Sequence, residues 1–297
     1  MAGLVIGTNK TFVTPVLEKG VTPTGTINIT TNGTHDVTNY ATANVSVSGG
    51  PTYYIEKALD ANNKLVGGSS IISFSGVEDV GDYGLAYAYY DNTNISGVAD
   101  FSSLTTISGN YAFQSAFRGC TGITSADLHS LTTISGGFAC QHMFRSCTGL
   151  TYISLPYLTT ISGPNACAYM FYGCTGLTYA SLPNLTTVSS TAGCNYMFSG
   201  CTGLTSANFP KLDTLTGSNA LTYMFQNCTS LANIYFNALT TSSFGTIRTQ
   251  FRNMLFGCSN VTLYFPSNLQ TIISAMTDYP NFSGTDTTNS FTLPATE

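Results

Sequence analysis

The stretch "YMFYGCTGLTYASLPNLTTVS", residues 169–189, decides the fold because the chain repeats it on both sides. Residues 142–162 read "HMFRSCTGLTYISLPYLTTIS", and residues 196–216 read "YMFSGCTGLTSANFPKLDTLT". The stride between copies is 27 residues, and it also spaces most of the cysteines: Cys120, Cys147, Cys174, Cys201 and Cys228, with Cys258 following after 30. A constant period of this length is typical of repeat proteins, in which each unit adds one layer to a stack.

The apolar residues form columns on this stride. The column three residues before each cysteine contains Phe117, Phe144, Phe171, Phe198, Phe225 and Leu255. A single unit cannot bury its apolar side alone, whereas stacked units share one core. In the spacing Leu150-x-x-Ile153-x-Leu155, alternation along a strand places Ile153 and Leu155 inside and leaves Tyr152 and Ser154 outside. We therefore predict a β-rich solenoid over residues 70–272 with seven or eight repeats, and a helical turn at each Met-Phe segment.

The repeated motif "MFYGCTGLTYASLPNLTT" resembles the BspA-like leucine-rich repeats of bacterial surface proteins and some phage proteins. The resemblance covers about two thirds of the chain and implies a leucine-rich repeat solenoid. It implies much less about function, because function depends on sites placed on a fold.

The composition excludes several classes of function. Only 8% of the residues are charged and the net charge is −5, so the clustered Lys and Arg of a nucleic-acid-binding protein are not expected. No apolar run approaches the roughly 18 residues of a membrane span, and the N-terminus lacks the pattern of a secretory signal. We expect no nucleic-acid partner, no membrane insertion and synthesis in a cytoplasm.

No residue pattern indicates catalysis, a cofactor or a metal. The three histidines, His35, His129 and His142, do not form an H-E-x-x-H motif, and Asp127 with His129 has no evident nucleophile. The cysteines contain no C-x-x-C pair. Disulfides between stacked cysteines stay an alternative, but parallel side chains hold the sulfurs side by side, so we predict nine free, packed thiols.

The residues before the repeats form a different pattern. Residues 25–47 read "GTINITTNGTHDVTNYATANVSV", in which apolar residues alternate on either side of an Asn-Gly turn. We predict an extended arm over 1–24, a β-hairpin attachment module over 25–50, a linker and N-terminal cap over 51–69, and a C-terminal cap or tail over 273–297. The module residues are Ile27, Ile29, Asn32, Gly33, Asp36, Val37, Tyr40, Val45 and Val47.

The same segment resembles a short module, "ITxNGTxDVxxYxxAxVxV", of phage and prophage tail proteins. The resemblance implies attachment to other virion proteins through the N-terminal region. His35 stands where the pattern usually has an aromatic residue, which is a mild departure.

The outward strand positions of the solenoid are the candidate ligand-binding residues. They form two predicted rows: Ser125, Tyr152, Tyr179, Ser206 and Asn233, and Asp127, Ser154, Ser181, Asn208, Tyr235 and Tyr264. Tyrosine combines an apolar ring with a polar tip, so the rows suit a host glycan or a polar protein surface. The alternative is an ordinary sheet surface, on which such residues are common.

From these features we expect a non-enzymatic phage virion structural protein, such as a fibre, tail-tip or decoration protein, that adheres to a host surface. A bacterial cell-surface adhesin of the BspA-like type is the first alternative, and a glycan hydrolase is the most distant one. A homo-oligomer such as a trimer stays open, because no heptad segment indicates one.

Overall fold

The computed structural model describes the side chains of residues 79–239 except 83, 84, 88 and 94, and those of residues 250–259, 261–264 and 266. For the strands that begin before residue 79 it describes the backbone. In chain order the strands are β1 (Thr11–Phe12), β2 (Ile29–Thr30), β3 (Asn39–Val47), β4 (Thr52–Leu59), β5 (Ile72–Ser73), β6 (Val77–Val80), β7 (Ser96–Asp100), β8 (Thr106–Ile107), β9 (Gly122–Asp127), β10 (Thr133–Ile134), β11 (Tyr152–Ser154), β12 (Thr160–Ile161), β13 (Tyr179–Ser181), β14 (Thr187–Val188), β15 (Ser206–Asn208), β16 (Thr214–Leu215), β17 (Asn233–Tyr235) and β18 (Thr262–Tyr264).

The repeats build two walls of parallel strands. One is an eight-stranded sheet in the order β18-β17-β15-β13-β11-β9-β7-β5, and the other is a five-stranded sheet in the order β16-β14-β12-β10-β8. Equivalent residues of successive units pair directly, as Tyr152 does with Tyr179 in the first sheet and Thr160 with Thr187 in the second. Each repeat is therefore one coil of a β-solenoid, as the period predicted.

The core between the walls is a set of apolar columns. Phe117, Phe144 and the phenylalanines of the next three coils are fully buried, and successive rings stack with centroids 5.3–5.7 Å apart. Leu150 and Ile153 are buried beside them. Burial of one such side chain contributes about 1.5–3 kcal/mol, so the shared core is the main stabilising element of the stack.

The third wall differs from the predicted helical turn. Along residues 111–120, alternate N–H groups donate to the next coil, as Ser115 does to the Gln141 carbonyl (2.8 Å). The intervening groups donate three residues back, as Ala116 does to Phe113 (3.0 Å). An α-helix would use these N–H groups within its own coil. A chain of β-turns leaves every second donor for the neighbouring coil, so this wall is hydrogen-bonded along the whole stack.

The turns require a left-handed residue at every fourth position. In one coil these residues are Asn165, Tyr169 and Gly173, with φ of 52°, 57° and 70°. Asn and Gly tolerate this conformation, whereas it is uncommon for Tyr. We call this surface the turn wall.

The N-terminal pairing differs from the predicted hairpin. β2 pairs antiparallel with β1, and β3 pairs antiparallel with β4 over eight positions from Asn39↔Leu59 to Ser46↔Thr52. The segment 51–69, predicted as linker and cap, thus contains a strand. The β3–β4 ladder is longer than any that the short run at Ile29 could form, so it satisfies more backbone groups.

β3 also pairs antiparallel with β6, with Val45 opposite Val80. The Val80 carbonyl in turn accepts a hydrogen bond from the N–H of Gly109, one coil further on (3.1 Å). β3 therefore covers the β6 edge at the first end of the stack, where an unpaired strand would otherwise be exposed.

Several predicted features lie outside the described residues. Among them are Ile27, Asn32, Gly33, Asp36 and Val37 of the attachment module, the arm over 1–24 apart from Thr11–Phe12, and the tail over 273–297. Of the other module residues, Ile29 lies on β2 and Tyr40, Val45 and Val47 lie on β3. In the part of the chain that the structure describes, no helix has the length and hydropathy to cross a bilayer.

Candidate functional site

The outward residues of the eight-stranded sheet form the two rows that the sequence predicted. Parallel pairing places Ser125, Tyr152, Tyr179, Ser206 and Asn233 side by side. Parallel pairing also places a second set side by side: Ser154, Ser181, Asn208, Tyr235 and Tyr264. Asp127 lies on the preceding strand, β9. We call these two rows the strand face.

Two pairs of tyrosines give the strand face its shape. Tyr152 is 47% exposed, and its ring stacks on Tyr179 with centroids 6.1 Å apart and an interplanar angle of 11°. Near the other end, Tyr235 and Tyr264 stack at 4.4 Å, and the Tyr264 hydroxyl lies 3.4 Å from Asn233 Oδ1. Stacking on a rigid sheet holds each ring in place before any ligand arrives.

One residue of the strand face departs from the prediction. Ser181 was expected to be exposed, but it is 9% exposed. Its short side chain lies between Ser154 and Asn208 of the neighbouring coils. Neighbours only one strand spacing away (about 4.8 Å) cover so small a group.

Among the described residues, Asp127 and His129 form a close pair of an acidic and a basic group. His129 Nδ1 lies 2.7 Å from Asp127 Oδ1, and the His129 N–H donates to the same oxygen (3.1 Å). Both side chains are exposed, with 53% and 41% of their surfaces accessible. His129 lies beyond the end of β9, so the pair is a local turn contact.

All nine cysteines are free and buried, as predicted. Six of them, Cys120, Cys147, Cys174, Cys201, Cys228 and Cys258, donate an S–H hydrogen bond to a backbone carbonyl of the preceding coil at 2.9–3.1 Å. Burial raises the pKa of the Cys258 thiol to about 11. Among the described residues, no group of three or more His, Cys, Asp or Glu could hold a metal ion.

The turn wall carries a second aromatic row that the sequence reasoning missed. His142, Tyr169, Tyr196 and Tyr223 occupy equivalent left-handed positions of four coils. Their centroids are 4.8, 4.6 and 4.5 Å apart in turn. We call these four residues the turn-wall ladder. The signal in the sequence is the aromatic residue that begins each repeated "HMF" or "YMF".

The chain was compared with curated proteins and with solved structures. No curated protein matches the chain. Similar solved structures include a leucine-rich cell surface protein from Faecalibacterium prausnitzii, with 18% identity, a TM-score of 0.27 and coverage of 76% of this chain and 74% of that chain. Another is the pneumococcal vaccine antigen PcpA, with 14% identity, a TM-score of 0.26 and coverage of 80% and 82%.

The family comparison bears directly on the repeats described above. The model of the BspA type leucine-rich repeat region matches in six copies, over residues 70–192 and 140–296. Together these matches span the solenoid and most of the C-terminal residues, so the chain belongs to the BspA-type leucine-rich repeat family.

Proposed function

We propose that the chain is a non-enzymatic adhesive protein of a bacterial cell surface, and that the strand face contacts a neutral host glycan. The observation that carries the proposal is the in-register stacking of Tyr152 on Tyr179 (6.1 Å) within rows of hydroxyl and amide side chains. Ring edges and faces contact the apolar side of a sugar, while Ser206 and Asn208 offer hydrogen bonds to its hydroxyls.

The solenoid suits this role because little has to be ordered on binding. The strand-face residues are held by a parallel sheet over a continuous core, so the entropic cost of fixing them is already met by folding. A chain with 8% charged residues depends little on long-range electrostatic attraction. Many copies on one surface would convert weak single contacts into strong attachment.

The test is binding of the chain, displayed on beads, to immobilised oligosaccharides ending in galactose, mannose or N-acetylglucosamine. The double variant Tyr152→Ala/Tyr179→Ala should weaken binding at least tenfold, which corresponds to about 1.4 kcal/mol. Tyr157→Ala is the matched control, because Tyr157 is 58% exposed and lies outside both rows.

Circular dichroism and thermal unfolding establish that each variant is folded. The proposal fails if the double variant binds as well as the wild type, or if the wild type binds none of these sugars.

A virion structural protein is the second candidate, and the resemblance of residues 25–47 to a phage tail module favours it. In that case residues 25–50 would attach the chain to other virion proteins and the solenoid would project towards the host. An antibody against the solenoid distinguishes the two candidates. Signal in purified phage particles would support the virion role, whereas signal confined to the cell envelope fraction supports the surface adhesin.

A further inference from the structure

Two arginines occupy adjacent positions on the turn wall. Arg118 lies over the ring of Tyr90, with its Cζ 5.1 Å from the centroid, and Arg145 lies over Tyr172 at 4.7 Å. The two arginines are 27 residues apart and therefore occupy the same position in consecutive coils. We call Arg118 and Arg145 the arginine pair. A cation–π contact holds each guanidinium by its face and leaves its N–H edge for other partners.

The arginine pair has no carboxylate partner within the described residues. The ion pair found there joins His129 and Asp127. Asp91 lies on the same wall, and its backbone N–H donates to the Arg118 carbonyl, but its carboxylate does not reach either guanidinium within 4.0 Å. Consecutive coils therefore carry two positive charges that no described carboxylate pairs with.

The arginine pair also lies near His142, the first residue of the turn-wall ladder. Burial, followed by the charges of Arg145 and Arg118, lowers the pKa of His142 to about 4. Its buried Nδ1 atom accepts or donates no hydrogen bond among the described residues. The region around the arginine pair is thus locally positive in a chain of net charge −5.

The turn-wall ladder continues from the arginine pair along the stack. Tyr169 packs against Tyr172 with centroids 5.8 Å apart, which connects the ladder to the ring under Arg145. The ladder rings are half-buried. Because stacking occupies their faces, they offer edges and phenol hydroxyls, such as those of Tyr169 and Tyr196, to a ligand.

We propose that the arginine pair and the turn-wall ladder bind an acidic polysaccharide through its sugar carboxylates. A guanidinium binds a carboxylate with two parallel hydrogen bonds, and the tyrosine hydroxyls can bond to sugar hydroxyls. The binding groups recur once per coil, at about 4.8 Å, which is similar to the length of one sugar in an extended chain. This surface is separate from the strand face, so the inference goes beyond the proposed function.

The experiment measures binding of the full chain to polygalacturonate and to polysialic acid by isothermal titration calorimetry at low salt. The double variant Arg118→Gln/Arg145→Gln should bind at least tenfold more weakly than the wild type. Lys211→Gln is the matched control, because it removes one positive charge elsewhere, where Lys211 donates to Asn184 Oδ1 (2.7 Å). Arg145→Lys keeps the charge but loses the bidentate geometry, so it should also weaken binding.

Each outcome decides for or against the proposal. Binding of either polymer, lost in the double variant and kept in Lys211→Gln, supports it and identifies the type of acidic sugar. Failure of the wild type to bind both polymers, or undiminished binding by a folded double variant, overturns it. Equal affinity for polyglutamate, which has carboxylates but no sugar rings, also overturns it. Tyr152→Ala/Tyr179→Ala should leave this binding unchanged, which separates it from the strand face.

Discussion

At the scale of single residues, glycine serves two different needs in the coil that contains Gly163 and Gly173. Gly173 has a φ of 70° and lies in open surroundings, where an added Cβ would have Ser146 Oγ 3.6 Å away. Gly163 lies against the coil before it, and a Cβ there would overlap the carbonyl oxygen of Gly136. The first glycine is required by backbone conformation and the second by the distance between coils.

These two requirements predict different costs for the same substitution. Gly173→Ala should lower the free energy of unfolding by about 1–2 kcal/mol, the cost of a left-handed residue. Gly163→Ala should lower it by about 3 kcal/mol or more, because two packed backbones must separate. Urea unfolding of both variants measures the difference. Equal midpoints would show that coil spacing does not constrain Gly163.

The cysteines are buried among apolar side chains. Burial raises the pKa of thiols such as Cys174 and Cys201 well above the ordinary value. A thiol reacts as its thiolate, so the native protein should react with very little thiol reagent at pH 8.

After denaturation without reductant, all nine thiols should react, since each is free in the folded structure. A count near one after denaturation would contradict the structure, because it would mean that the stacked cysteines are joined as disulfides.

At the scale of elements, the turn wall places aromatic residues at backbone positions with positive φ. His142, Tyr169 and Tyr196 adopt φ of 57°, 57° and 54°, a conformation that is uncommon for Tyr. Aromatic stacking at 4.6–4.8 Å between these residues offsets part of that cost. The element is therefore stable only as a stack, because one coil alone would have the strain without the stacking.

The same element predicts a pH dependence of stability. The folded pKa of His142, about 4, is below its ordinary value of 6.5, so the unfolded chain binds a proton more readily than the folded one. Its contribution to stability is complete above pH 6.5 and is lost as the pH falls towards 4. Because the ring is partly exposed, the loss should be on the order of 1 kcal/mol.

His142→Asn tests this dependence, since Asn tolerates the left-handed conformation and does not titrate. The loss of thermal stability between pH 7 and pH 4.5 should be smaller in the variant than in the wild type. An identical loss in both proteins would show that other groups cause the acid sensitivity.

At the scale of the whole molecule, a stack of coils has two ends with unpaired strand edges. At the first end, β3 covers β6 through pairs such as Val45↔Val80 and Ser46↔Asp79. Exposed edges of this kind pair with other chains. β3 therefore protects this edge of the stack from such pairing.

Deletion of residues 1–60 should expose the backbone edge of β6 and cause self-association, seen as larger species in size-exclusion chromatography with light scattering. Deletion of residues 1–38 is the control, because it keeps β3 and β4. If the longer deletion behaves like the control, β3 is not needed as a cap.

Much of the solenoid could be predicted from the sequence alone. The 27-residue period determined which residues share a column, and alternation along a strand determined that Ile153 is buried while Tyr152 is exposed. These are local consequences of side-chain spacing, and they hold for any stack of such coils. They include the strand face, with the exception of the buried Ser181.

The tertiary structure alone decided where the remaining backbone groups find partners. The Ser115 N–H bonds to Gln141 in the next coil, and β3 pairs with β4 and β6 instead of with the run before the Asn-Gly turn. Neither pairing follows from the secondary-structure propensity of the residues. Several carbonyl groups compete for the same N–H donors, and the choice between them depends on chain segments that are far apart in sequence. The turn wall and its arginine pair are for that reason properties of the assembled stack, while the repeat and its core are properties of the sequence.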